Sequence, residues 1–200
     1  MSKIISILDY SMGNITSVQR AVQRCGFECN IIHNGKEIRE AEHLVLPGVG
    51  HFGKAMDFLR KNELDKALQE AVLEKKVPIT GICLGMQLMC KGSEEGNTEG
   101  LAWFDCEVTR IHVQDSLRYK VPHTGWNLLE KNGEQERLKD LSPDDRFYFV
   151  HAYEVKTAPI DEVLSFSTYE SRFVSSLIKN NIVGFQFHPE KSQDSGLKLL

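Results

Sequence analysis

Val77-Pro78-Ile79-Thr80-Gly81-Ile82-Cys83-Leu84-Gly85-Met86-Gln87-Leu88-Met89 decides how this chain is read. Residues 77–82 form a short, mainly apolar run that suits a buried strand, and Cys83 opens a turn entering a helix. A strand that feeds a helix is the repeating unit of an open parallel sheet, because parallel neighbours need crossover connections.

Toward the N-terminus the same unit recurs. Met1-Ser2-Lys3 leads directly into Ile4-Ile5-Ser6-Ile7-Leu8, a nearly continuous apolar run suited to a strand covered on both faces. The loop Asp9-Tyr10-Ser11-Met12-Gly13 follows it, and Asn14 is placed to cap a helix in which Ile15, Val18, Ala21 and Val22 recur at helical spacing until Gly26. Residues 28–32 read as a second strand and 43–46 as a third, running into Pro47-Gly48-Val49-Gly50, which reads as loop. A helix is expected from about residue 52 and another from about 62, with Leu64, Ala67, Leu68, Ala71 and Val72 as its apolar stripe. The alternation βαβαβαβα predicts an α/β fold with an open, mainly parallel sheet and helices on both faces.

Toward the C-terminus the texture changes after Lys91-Gly92-Ser93. Strand-like runs at 106–111, 147–150 and 163–167 alternate with turns and suggest antiparallel additions to the same sheet. Residues 182–187 form one further strand, ending at His188-Pro189-Glu190. With no internal repeat, linker or low-complexity stretch, residues 1–200 are expected to form a single domain.

Composition narrows the class. A chain of 200 residues with 24 Lys+Arg, 28 Asp+Glu and 41% apolar residues is expected to fold around a core without disulfide or metal staples. Its net charge of −4 and lack of a basic block argue against a nucleic-acid or polybasic membrane surface. No apolar run is long enough to span a bilayer and no signal-peptide pattern opens the chain, so a cytoplasmic location is expected. Cys25, Cys29, Cys83, Cys90 and Cys106 lack the paired CxxC spacing of metal or redox sites, and most read as small buried hydrophobes.

In such a sheet, ligands sit beyond the carboxyl ends of the strands. Four of those ends carry unusual residues: 9–14, 47–50, Cys83, and 188–190. Cys83, between Gly81 and Gly85, is the cysteine counterpart of a nucleophile elbow, and the helix N-terminus beneath it favours thiolate. Its plainer reading is a structural thiol. His188 supplies a base, and Pro189 holds it extended so that Glu190 can orient the imidazole. Taken singly, that segment is as well read as a strand-end histidine before a proline turn. Amides of the 47–50 segment and of Leu84 can point at a developing oxyanion, and Gln87, one helical turn past Cys83, can meet a polar substrate.

Gly81-Ile82-Cys83-Leu84-Gly85-Met86-Gln87 together with His188-Pro189-Glu190 resembles the class I, triad-type glutamine amidotransferases. Residues 47–53, Pro122-His123-Thr124-Gly125-Trp126-Asn127 and Lys191-Ser192 resemble, more narrowly, the glutaminase subunits of imidazole glycerol phosphate synthases. The matching segments run from Asp9 to Ser192.

The resemblance implies a flavodoxin-like architecture, a Cys83-His188-Glu190 triad, and glutamine or oxyanion binding by Gly48, Val49, Gly50, Leu84 and Gln87. It implies neither metal nor organic cofactor. Ammonia from glutamine is expected to pass to a (β/α)8 cyclase subunit in a heterodimer, which makes imidazole glycerol phosphate and AICAR. Asn14, Trp126, Tyr148 and Lys191 match positions at that interface. The flanking glycines allow the 48–50 amides to point away from the oxyanion site in one backbone state and toward it in another. Ser11 stands where the family usually has glycine, and Ala152 replaces a small hydroxyl residue. The family's last helix also continues past the position of Leu200. A stand-alone cysteine hydrolase, a non-catalytic binding subunit and a glutaminase serving amidino-sugar synthesis are competing readings; activity without a partner, affinity labelling of Cys83 and the identity of the partner separate them.

Overall fold

The first strand, β1 (Ile5–Leu8), has apolar residues on both of its faces, and both faces are covered. Ile7 packs with Val18 and Val22 of helix α1 (Ile15–Arg24), while Leu8 joins a larger cluster on the opposite face. The computed structural model describes residues 4–200; Met1-Ser2-Lys3, which lead into this strand, lie outside the described residues.

The chain continues through β2 (Cys29–Ile32), α2 (Gly35–Glu40), β3 (His43–Gly48), α3 (Phe52–Lys61), α4 (Leu64–Gln69), β4 (Ile79–Cys83) and α5 (Leu84–Leu88). Strands β5 (Cys90–Ser93), β6 (Thr98–Glu99), β7 (Phe104–Arg110), β8 (His123–Leu128) and β9 (Glu130–Lys131) follow. The remainder is β10 (Arg146–His151), β11 (Tyr153–Val155), β12 (Val163–Tyr169), β13 (Ser171–Lys179), β14 (Ile182–Phe185) and α6 (Gln193–Leu197).

Five strands run parallel in the order β2-β1-β3-β4-β14, and the antiparallel β13 and β11 extend the same sheet toward β7, β5 and β6. The expected open, mainly parallel sheet with antiparallel additions is therefore present. Leu44, Leu46 and Ile79 pack with α3, α4 and α5 on one face; Val45 and Ile82 pack with α1 on the other. The stripe Leu64, Ala67, Leu68, Ala71 and Val72 is buried throughout.

Four expectations need correction. Pro47 and Gly48 belong to β3 rather than to a loop. Leu44 donates its amide to the Pro78 carbonyl on the β4 side. By strand alternation the donor-less nitrogen of Pro47 faces β1, whose pairing with β3 has ended at Ile7–Val45. Asn14 sits at the start of α1 but its side chain makes no capping bond, whereas Asn34 caps α2 by accepting from the Lys36 and Glu37 amides. Helix α2 itself was not expected, since it has six residues and a single buried apolar one, Ile38. Strand β10, expected in the main sheet, pairs among the described residues only with β8, in a separate two-stranded ribbon. Phe147 and Phe149 on its buried side pack against Phe173, Phe185 and Phe187, which seats the ribbon on the main sheet. Period-two alternation specifies a strand with one buried face but not the sheet it joins.

The ends of the central strands are held in register: Gly48 lies beside Cys83, and Ile82 beside Phe185. The first turn of α5 rests against β3 so closely that a Cβ on Gly85 would overlap the Leu46 carbonyl oxygen, a backbone atom that cannot move aside. Gly85→Ala is therefore expected to destabilise the protein by about 3 kcal/mol or more, the upper end of overpacking costs. Denaturant unfolding checks this, and a loss under about 1 kcal/mol would contradict the close approach.

Candidate active site

Cys83 closes β4 with φ 54° and ψ −110°, off the ordinary regions for a non-glycine residue, and is 7% exposed. The turn is held by what surrounds it: β4 is paired on both sides, and α5 is wedged on β3 through Gly85. Strain retained at a strand-to-helix turn directs the side chain out of the strand's plane, which is the geometry expected of a nucleophile elbow. Leu84, the first residue of the helix, has no acceptor for its amide within that helix.

His188 is extended, with φ −101° and ψ 93°, and Pro189 starts a short 3₁₀ turn. This brings His188 Nδ1 and Glu190 Oε1 to 2.8 Å, with the two side chains only 2% and 1% exposed. Facing a carboxylate, Nδ1 carries the proton, so Nε2 is the nitrogen left for chemistry. Nε2 is buried with no hydrogen-bond partner at good geometry. Burial lowers the His188 pKa, but the Cys83 charge, a Cys83 hydrogen bond and Glu190 together outweigh it and raise the pKa to about 9. The imidazole therefore holds its proton more tightly than an ordinary histidine does.

The backbone of this segment is anchored by β10. The His188 amide donates to the Tyr148 carbonyl at 2.9 Å, the Tyr148 amide donates to Ser192 Oγ at 3.0 Å, and Ser192 Oγ donates to the His188 carbonyl at 2.6 Å. Two residues further along the same strand, the Val150 carbonyl lies 3.9 Å from Cys83 Sγ. A cleft of about 280 Å³ opens above the sulfur, lined by Val49, Gly50, Cys83, Leu84, Gln87 and His188 among others.

The residues expected to meet an oxyanion lie at the cleft or beside it, as follows. Gly50 borders the cleft with φ 113°, a conformation suited to glycine, and Gly48 is level with Cys83. The Val49 amide, however, donates to the Met12 carbonyl at 2.9 Å, so in this structure it points away from the cleft. Gln87 is buried rather than solvent-facing, giving its Nε2 hydrogens to the Tyr153 carbonyl at 3.0 Å and Gln186 Oε1 at 2.9 Å.

Of the four expected interface residues, Trp126 and Tyr148 are cross-strand partners with rings 5.8 Å apart, and Trp126 is 44% exposed. Lys191 follows Glu190 in the 3₁₀ turn, and Asn14 precedes α1, which packs on that turn. Ser11 has φ 66°, the left-handed conformation a glycine would take without cost.

Sequence reasoning missed Gln186, His151, Glu95 and Tyr10. Gln186 donates to Cys83 Sγ at 3.8 Å, and His151 and Glu95 line the cleft. Glu95 Oε2 also accepts from the Phe52 amide at 2.7 Å. Burial, and secondarily the Cys83 charge, push the Tyr10 hydroxyl far up, so it stays neutral. A polar residue between Phe185 and Phe187, two before the histidine, was the available signal for Gln186.

The chain also matches known proteins over nearly its whole length. The family model for glutamine amidotransferase class-I matches residues 6–198. "Imidazole glycerol phosphate synthase subunit HisH 2" of Pseudomonas aeruginosa is 39% identical, covering 98% of this chain and 96% of that protein. "Imidazole glycerol phosphate synthase subunit HisH" of Geobacillus sp. is 45% identical, covering 98% and 94%. In fold, the chain resembles PurLQS from Thermotoga maritima, with a TM-score of 0.74 at 16% identity, covering 100% of this chain and 96% of that one.

The His188 environment makes a testable claim about its protonation. Its imidazole is expected to titrate near pH 9, observable in side-chain nitrogen chemical shifts. Cys83→Ala removes the largest raising influence while the burial remains, so the midpoint should fall. A midpoint unchanged in that variant would mean that the sulfur and the ring do not face each other.

Proposed function

Since the chain belongs to the class I glutamine amidotransferases, we propose that Cys83, His188 and Glu190 are its catalytic triad, acting on the γ-carboxamide of glutamine. The chain hydrolyses glutamine to glutamate and ammonia and supplies the ammonia to the cyclase subunit of imidazole glycerol phosphate synthase in histidine biosynthesis. The observation that carries the triad assignment is the buried His188–Glu190 pair at 2.8 Å beside a cysteine on a strained strand-to-helix turn.

The Cys83 thiolate attacks the amide carbon, and the carbonyl oxygen becomes an oxyanion. His188 gives its Nε2 proton to the departing ammonia, leaving a γ-glutamyl thioester on Cys83. His188 then takes a proton from water, whose attack on the thioester releases glutamate and restores the thiolate. Glu190 fixes the imidazole's tautomer and stabilises its charged form.

The Leu84 amide is one oxyanion donor, and the 48–50 segment supplies the other. With the Val49 amide bonded to the Met12 carbonyl, that second donor is withheld. One missing donor costs roughly 10² to 10³ in rate, enough to restrain the isolated subunit with the triad intact. Docking of a (β/α)8 cyclase over Asn14, Trp126, Tyr148 and Lys191 biases the segment toward the competent state, in a cytoplasmic heterodimer. Ammonia then crosses the cyclase core to a ribulose-linked imidazole carboxamide precursor, yielding imidazole glycerol phosphate and AICAR.

Cys83→Ala is expected to reduce glutamine-dependent synthesis on the order of 10⁶-fold while ammonia still drives the cyclase reaction. Assaying the variant complex with each nitrogen source checks this. Substantial glutamine-dependent turnover would refute the assignment of Cys83.

A further inference from the structure

Gln186 is fully buried between Phe185 and Phe187, and the mechanism above leaves it unused. Its side chain ends a hydrogen-bond chain whose direction is set by one atom. The Tyr153 carbonyl can only accept, so the Gln87 side-chain atom 3.0 Å from it is the amide nitrogen. The same Nε2 lies 2.9 Å from the Gln186 side chain, which must therefore present its oxygen. The Gln186 nitrogen is left facing Cys83 Sγ at 3.8 Å. Turning the Gln87 amide over would set its oxygen against the Tyr153 carbonyl; turning Gln186 alone would set two NH₂ groups face to face. The Tyr153 carbonyl is itself held from a second side, accepting from His151 Nδ1 at 2.8 Å. His151 Nε2 in turn accepts from His123 Nδ1 at 3.0 Å.

The sulfur thus meets two partners that distinguish its protonation states. The Val150 carbonyl can only accept, so it interacts favourably with the thiol. The Gln186 N–H can only donate, and it does so most strongly to an anion.

We propose that Gln186 is a positioning residue for the nucleophile: its N–H selects and orients the Cys83 thiolate, and Gln87 fixes the orientation of that N–H. The proposal rests on the reading of Cys83 as the attacking group. It also assigns Gln87 a role in holding Gln186, separate from any contact with glutamine.

The charged and titratable groups around the sulfur are Tyr10 from the loop after β1, Glu95 from the β5–β6 turn, His151 at the end of β10, and His188 with Glu190 after β14. Tyr10 stays neutral, and burial first, then His123, push His151 down to about 3, so it too is uncharged. His188 remains as the neighbour whose charge favours thiolate, and it is present in every variant below.

The test is the pH dependence of Cys83 alkylation by iodoacetamide in the full chain, read by peptide mass so that the other cysteines do not interfere. This small electrophile needs no glutamine pocket. In Gln186→Leu the labelling midpoint should move to higher pH, with the rate at neutral pH falling about 5-fold, as expected for one hydrogen bond. Gln186→Glu, which sets an oxygen against the sulfur, should move it further. Gln87→Leu, which leaves Gln186 free to rotate, should move it in the same direction, and the double variant Gln87→Leu/Gln186→Leu should be no worse than Gln186→Leu. An unmoved midpoint in Gln186→Leu, with labelling reduced equally at all pH values, overturns the proposal, as does additivity in the double variant. Should Gln186→Leu fail to fold, an unmoved midpoint in Gln87→Leu overturns it equally. Absence of glutamine hydrolysis in the wild-type complex would instead sink the functional reading and leave the midpoint shifts standing.

Discussion

The contact between the first turn of α5 and β3 is the constraint on which the rest of the structure depends. Gly85 lies so close to the Leu46 carbonyl that no side chain fits between them. This approach makes the chain reverse sharply at Cys83, which holds the cysteine in its strained conformation at the strand end. It also brings the 48–50 segment level with the sulfur, because β3 and β4 are paired up to Gly48 and Cys83. Cys83 and the proposed oxyanion donors are thus fixed by packing within one sheet, while His188, the proposed base, follows β14, the strand on the other side of β4.

The two-stranded ribbon of β8 and β10 links this centre to the surface. Along the edge of β10 away from β8, Tyr148 and Val150 present backbone groups to His188 and Cys83. The ribbon's outer side carries the exposed Trp126, packed on the Tyr148 ring. A partner pressing on Trp126 on the proposed interface would therefore act on the strand that holds the His188 backbone. Such coupling requires no long path, since one strand touches both surfaces.

Much of this was legible in the sequence because burial on both faces leaves a continuous apolar signature, as in Ile5-Ser6-Ile7-Leu8, and because glycines flanking Cys83 at a strand end mark a turn too tight for larger side chains. His188 was legible because the following proline keeps it extended, whereas the 3₁₀ turn that carries Glu190 back to the imidazole was not. What sequence did not reveal depends on partners distant along the chain. Helix α2 has one buried residue and no period to detect. The alternation in β10 identified its buried face, but its seat on Phe173, Phe185 and Phe187 is a tertiary choice. The direction of the Val49 amide is decided by the Met12 carbonyl in another loop, and the role of Gln186 by Gln87 on a helix from the other half of the chain.

The central claim is that the triad is assembled in the isolated subunit while an oxyanion donor is turned away. The most direct test is glutaminase kcat/KM of the chain alone, with its cyclase subunit, and with the cyclase plus an acceptor analogue. The account predicts a rise of about 10² or more from the first condition to the last, in proportion to the restored donor. Equal values in all three conditions would contradict it.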